Sequence, residues 1–139
     1  MDIEKKTLLA ATLVGSLPGL QALYGDHFEL KCVTRLDDAI SAMNQGVDAI
    51  LCNIHFDEGA MYDLLRIAKS HRVARFIPFF VIDSSVTPAS PAITQSISIA
   101  SKALGADHVV HMTQWIAEVG VRNAQLKVLH LVLNQLHSS

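Results

Sequence analysis

The feature that most narrows what this chain can fold into is an alternation. Short apolar runs rich in β-branched and aromatic residues take turns with segments whose apolar residues recur three and four apart. The runs are Thr7 to Val14, Phe28 to Thr34, Ala49 to His55, Ile77 to Asp83 and His108 to Met112. Most are apolar at successive positions, as strands covered on both faces must be. Between them, Leu17, Leu20 and Tyr24, then Leu36, Ala39, Ile40 and Met43, then Met61, Leu64, Leu65 and Ala68, and finally Ile93, Ile97, Ala100 and Leu104 each form one helical stripe. Parallel neighbours need crossovers, and crossovers are right-handed. The pattern therefore predicts an α/β fold: a doubly wound, five-stranded parallel sheet, with residues 1–139 in a single domain and the loops of interest at the carboxyl ends of the strands.

Turn chemistry supports these boundaries. Ser90 before Pro91 suits a helix N-cap followed by a first-turn proline, Gly46 and Gly105 can close helices in the left-handed region, and GSLPG from Gly15 reads as a tight strand-to-helix turn with Pro18 in the first helical turn. That turn could in principle cradle a phosphate, but it lacks a lysine and the fuller glycine pattern.

Composition excludes several classes. With 139 residues, half of them apolar and 17% charged, the chain can bury a core and is neither disordered nor low-complexity. Eleven basic against thirteen acidic residues give a net charge of −2. That offers no general attraction to nucleic acid or to an anionic membrane, so neither is an expected partner. Cys32 and Cys52 each sit in an apolar run and read as buried, reduced thiols. The apolar stretch TLLAATLV after MDIEKK is too short to span a membrane and reads as the first strand, and a cytoplasmic location is expected.

Three segments carry a resemblance: VDAILCNIHFDEGAMYDLLRIAKSH from Val47, IPFFVIDSS from Ile77 and KALGADHVV from Lys102. In this order they resemble the receiver (CheY-like) domain of two-component response regulators, a flavodoxin-like (βα)5 fold, over nearly the whole chain. The resemblance implies a phosphotransfer site made of an acidic pair after the first strand for Mg²⁺, an Asp ending the third strand as phosphoacceptor, a hydroxyl ending the fourth and a Lys ending the fifth. The chemistry explains these residue types, since a carboxylate attacks phosphorus, the cation screens phosphoryl charge, and the ammonium neutralises the acyl phosphate. Carried onto this chain, the acidic pair falls at Ala11 and Thr12, the acceptor at Asn53, the hydroxyl at Asp83 with Ser84 beside it, and the lysine at Met112, followed by Thr113. The switch aromatic falls at Val109. The resemblance thus implies a degenerate pseudo-receiver that keeps the fold without the phosphorylation chemistry, needs no cofactor and catalyses nothing.

Other groups invite a chemical reading. His55, Asp57 and Glu58, with His108 or His111, could supply metal ligands, but they lack ligand spacing and read as a solvated loop; no metal is expected. Ser84, Ser85, Thr87, Ser90, Ser96, Ser98 and Ser101 enrich one region in hydroxyls with no adjacent base in sequence, and read as caps, turns and a polar face.

The last helical segment shows two apolar stripes. Leu126, Leu129, Leu133 and Leu136 can dock it on the sheet, while Val121, Ala124, Val128, Leu131 and Val132 form a second stripe. Left bare, that second stripe would be costly. It is expected to meet a second copy in a two-fold homodimer, the alternative being cover from the fourth helix or the Trp115 loop. The functional expectation is a signalling module, independent of phosphorylation, acting through protein contacts with an unknown protein partner. The rival is a small ligand- or metal-binding protein or enzyme using a strand-end pocket around Asn53, His55, Asp83 and His111.

Overall fold

A computed structural model describes residues 5–84 and 90–137; Ser85 and Thr87 of the hydroxyl-rich segment lie outside them. Five strands, β1 (Thr7–Ala11), β2 (Glu29–Val33), β3 (Ala49–Asn53), β4 (Phe79–Asp83) and β5 (His108–His111), pair in parallel in the order β2-β1-β3-β4-β5. The helices are α1 (Leu17–Tyr24), α2 (Leu36–Gln45), α3 (Met61–Ser70), α4 (Pro91–Ala103), α5 (Met112–Val119) and α6 (Val121–His137). The expected doubly wound α/β fold is present, with strands shorter than their apolar runs. Leu13 and Val14, for example, leave β1 and turn into α1 through a short 3-10 segment.

Alternation along each strand sorts the core into two layers. Leu9, Ile50, Cys52, Phe79 and Val81 face α2, α3 and the end of α4, packing against Ala39, Met43, Leu64, Leu65 and Ala68. Leu8, Ala49, Leu51, Phe80 and Val110 face the other way, against Tyr24, Phe28, Val128, Leu129 and Val132. All three central strands are nearly solvent-free, consistent with their lack of polar alternation. Local signals hold where expected: Ser90 Oγ accepts from Ile93 N at 3.3 Å, and Gly46 and Gly105 have φ of 99° and 106°.

Two expectations need correction. The stretch with Trp115 is a helix, α5, and it packs on α6; Lys127 of α6 lies over the Trp115 ring at 4.1 Å. Of the five residues expected at a homodimer interface, Ala124 (0% exposed), Val128 (4%) and Val132 (0%) lie inside the chain against the sheet. Leu131 is half-buried, and Val121 is exposed at the helix start. The two stripes adjoin on the helix surface and form one wide arc. Because α6 lies in a trough between the sheet, α1 and α5, it buries that arc within its own chain.

Candidate functional site

The carboxyl ends of β1, β3 and β4 and the start of α5 bring Ala11, Thr12, Asn53, Ser84 and Met112 together as lining of one pocket of about 270 Å³, walled by α1 and α6. Ala11 and Thr12 are buried and bring no carboxylate. Met112 opens α5 with a neutral thioether. Among the described residues no lining residue carries a charge.

Asn53 is 7% exposed and doubly bonded through its side chain: Nδ2 donates to Ser84 Oγ at 2.6 Å, and Oδ1 accepts from His55 N at 2.8 Å. Amide resonance withdraws the nitrogen lone pair, and the oxygen bears no full charge, so Asn53 cannot attack phosphorus as a carboxylate does. The hydroxyl that meets Asn53 is that of Ser84. Asp83, one residue earlier, takes the opposite face of β4 and is not part of the pocket.

On that opposite face Asp83 and His111, expected in one pocket with Asn53 and His55, meet each other apart from Asn53, and Ser98 joins them, which the sequence pattern did not reveal. Asp83, 5% exposed, has Oδ2 3.0 Å from His111 Nδ1, and His111 Nε2 lies 2.7 Å from Ser98 Oγ. The signal was present in the strands: Asp83 and His111 are register partners that end neighbouring apolar runs. With Nδ1 protonated toward Asp83, Nε2 accepts the Ser98 proton, the connectivity of a hydrolytic triad. Ser98, however, lies in the middle of α4. The N–H groups around it are committed to carbonyls one turn back, so the helix offers no pair to hold an oxyanion. The chain Asp83–His111–Ser98 instead ties β4, β5 and α4 together.

The remaining candidates are dispersed. Asp57 and Glu58 occupy left-handed backbone at φ 43° and 56°. Asp57 Oδ2 accepts from Leu36 N at 2.8 Å, capping α2 where its own N-cap Arg35 makes no side-chain bond. His108 stacks on Phe80 and meets Gln135 of α6 at 2.9 Å, and His55 is exposed. Among the described residues no three His, Cys, Asp or Glu side chains gather as a metal site, and no helix is long and apolar enough to cross a membrane. Burial pushes the thiols of Cys32 and Cys52 above the ordinary cysteine range, disfavouring thiolate at either.

No family model and no curated protein matches the sequence. Solved structures do match in shape. The phosphorylated cyanobacterial phytochrome response regulator RcpA is 15% identical with a TM-score of 0.73, over 97% of this chain and 96% of that one. A response regulator from Hahella chejuensis is 14% identical with a TM-score of 0.73, over 97% and 100%. The chemotaxis response regulator CheY4 of Vibrio cholerae is 14% identical with a TM-score of 0.69, over 94% and 99%. This chain has the receiver fold. In it Thr12, Asn53, Ser84 and Met112 lie together at the carboxyl ends of the strands. α5 lies between β5 and the last helix and brings Met112 to the pocket wall.

Proposed function

We propose that this receiver fold works as a signal-transduction module independent of phosphorylation, transmitting through protein contacts and not through catalysis. The observation that carries the reading is Asn53: the residue at the acceptor position is an amide held at both ends by Ser84 and the His55 backbone. Its surroundings agree. One receiver domain of similar fold, from a Pseudomonas aeruginosa sensor histidine kinase, was crystallised with magnesium coordinated in its active-site cleft. The pocket at the strand ends here has no charged residue among its described lining. Without carboxylates a divalent cation lacks its anchors, and without a lysine an acyl phosphate would lack its counter-charge.

The contact surface is proposed to include what α6 leaves outside. A homodimer through that helix has Val121 and Leu131 to use, not Ala124, Val128 and Val132, and light scattering over a dilution series reads its formation. The test of phosphorylation independence is incubation with acetyl phosphate and Mg²⁺ followed by intact mass measurement. No added phosphoryl group is expected; a stoichiometric adduct that hydroxylamine removes would overturn the reading.

A further inference from the structure

We propose that the pocket at the carboxyl end of the sheet is a binding site for a small uncharged molecule with an apolar, ring-sized body and one hydrogen-bonding end. This goes beyond the module proposed above, which asks only that the site not take phosphate. The volume, about 270 Å³, falls just under the roughly 300–1,000 Å³ of sites for drug-sized ligands and suits something smaller. Leu20, Leu23, Leu51, Ile82, Met112 and Val128 supply an apolar wall.

Two further features point to a ligand and to its character. Thr12 (6% exposed) and Tyr24 (2%) both line the pocket, and neither hydroxyl has a hydrogen-bond partner among the described residues. Ser101 Oγ is the one described side-chain polar atom both buried and unpartnered, so the Thr12 and Tyr24 hydroxyls open onto the pocket space and are left to hydrogen-bond whatever occupies it. Asn53 gives one N–H of its amide to Ser84 and has a second to give. A charged ligand would find no opposite charge in the lining and would be desolvated without compensation. The wall is also open at α1: a Cβ on Gly19 would meet nothing within 4 Å. Because α6 contributes Gln125 and Val128 to the lining, an occupant touches the last helix as well as the sheet, so its binding is felt where α6 packs.

The test uses three molecules of nearly one shape and different charge, benzamide, benzoate and benzamidinium, titrated into the isotope-labelled full chain and followed by amide chemical shifts. Benzamide is expected to give saturable shifts at Thr12, Leu23, Ser84 and Gln125 at millimolar concentration, as befits a fragment-sized ligand. Both ions should bind at least about ten-fold more weakly. Gly19→Leu, which fills open space from a helical position, should weaken benzamide by about ten-fold or more while keeping the dispersed spectrum of a folded chain. Thr12→Val, close in volume, should weaken benzamide several-fold and leave toluene unchanged. The proposal is overturned by absence of saturable benzamide shifts, by shifts that map elsewhere, by benzoate or benzamidinium binding as well as benzamide, or by undiminished benzamide binding in both variants. A response to beryllofluoride with Mg²⁺ would instead overturn phosphorylation independence and leave the uncharged-ligand site to stand or fall on the benzamide series.

Discussion

Truncating Val132 to alanine tests whether α6 is core or interface. Val132 is 0% exposed and packs in the layer with Leu8, Phe80, Val110 and Leu129. The change removes two methyl groups at about 0.8 kcal/mol each in transfer free energy, or about 1.6 kcal/mol. A residual cavity of about 50 Å³ adds about 1.2 kcal/mol. A loss of about 2–3 kcal/mol is therefore expected, a large part of the roughly 5–15 kcal/mol that holds a domain together. Val121 is 56% exposed, and Val121→Ala should change stability by no more than about 0.5 kcal/mol. Urea unfolding followed by circular dichroism reads both variants; with a slope of about 2 kcal/mol/M, Val132→Ala should lower the midpoint by about 1–1.5 M. The loss should be the same at every protein concentration, because the partners of Val132 are in its own chain. A loss that vanishes on dilution would place Val132 between two copies and refute the packing of α6.

Three other perturbations have definite signs. Ser101 Oγ is buried with no partner among the described residues, so Ser101→Ala should raise stability by about 1 kcal/mol, seen as a melting temperature higher by a few degrees; a lower one would mean the hydroxyl is satisfied. Asp57→Ala removes the carboxylate that caps Leu36 N and should cost about 1 kcal/mol in urea unfolding. Asp57→Asn, which keeps an acceptor and tolerates left-handed backbone, should recover most of it, and equal losses in the two variants would discount the cap. Burial raises the pKa of Cys52 and of Tyr24 from ordinary values of 9.0 and 10.0. The folded chain keeps both protons after the unfolded chain begins to lose them. The urea midpoint should accordingly hold below about pH 9 and fall above it, steepening past about pH 10 toward a limit of about 1.4 kcal/mol per pH unit per group. Cys52→Ala should delay the onset, and a midpoint flat to about pH 10.5 would contradict the assignment.

The fold was legible because its signals are local. Apolar runs such as Ala49 to His55, which holds the strand Ala49–Asn53, read as strands covered on both faces, and Ser90, Gly46 and Gly105 marked helix ends by chemistry that needs no tertiary partner. What failed was long-range. The periodicity of α6 showed that its apolar arc is wide, but which part meets the sheet depends on α5, whose short MTQWIAEV pattern resembled a loop. Thr12, Asn53, Ser84 and Met112, from four separate segments, did come together in one pocket. Asp83 did not, because a one-residue offset along β4 reverses the face. Asp83 and His111 were grouped from their strand-end positions, but the link to Ser98 was hidden because it comes from α4 and depends on how that helix packs beside β5.

Titration of the isotope-labelled protein with beryllofluoride in the presence of Mg²⁺ tests the central claim most directly, since this phosphoryl mimic needs a carboxylate to bond, a cation to bridge and an ammonium to neutralise it. With Asn53 held by Ser84 and His55, and an uncharged lining around it, the amide signals of Thr12, Asn53, Ser84 and Met112 should stay where they are. A second, slowly exchanging set of signals at those residues, growing to completion with added beryllofluoride, would show a working phosphoryl site and contradict the account.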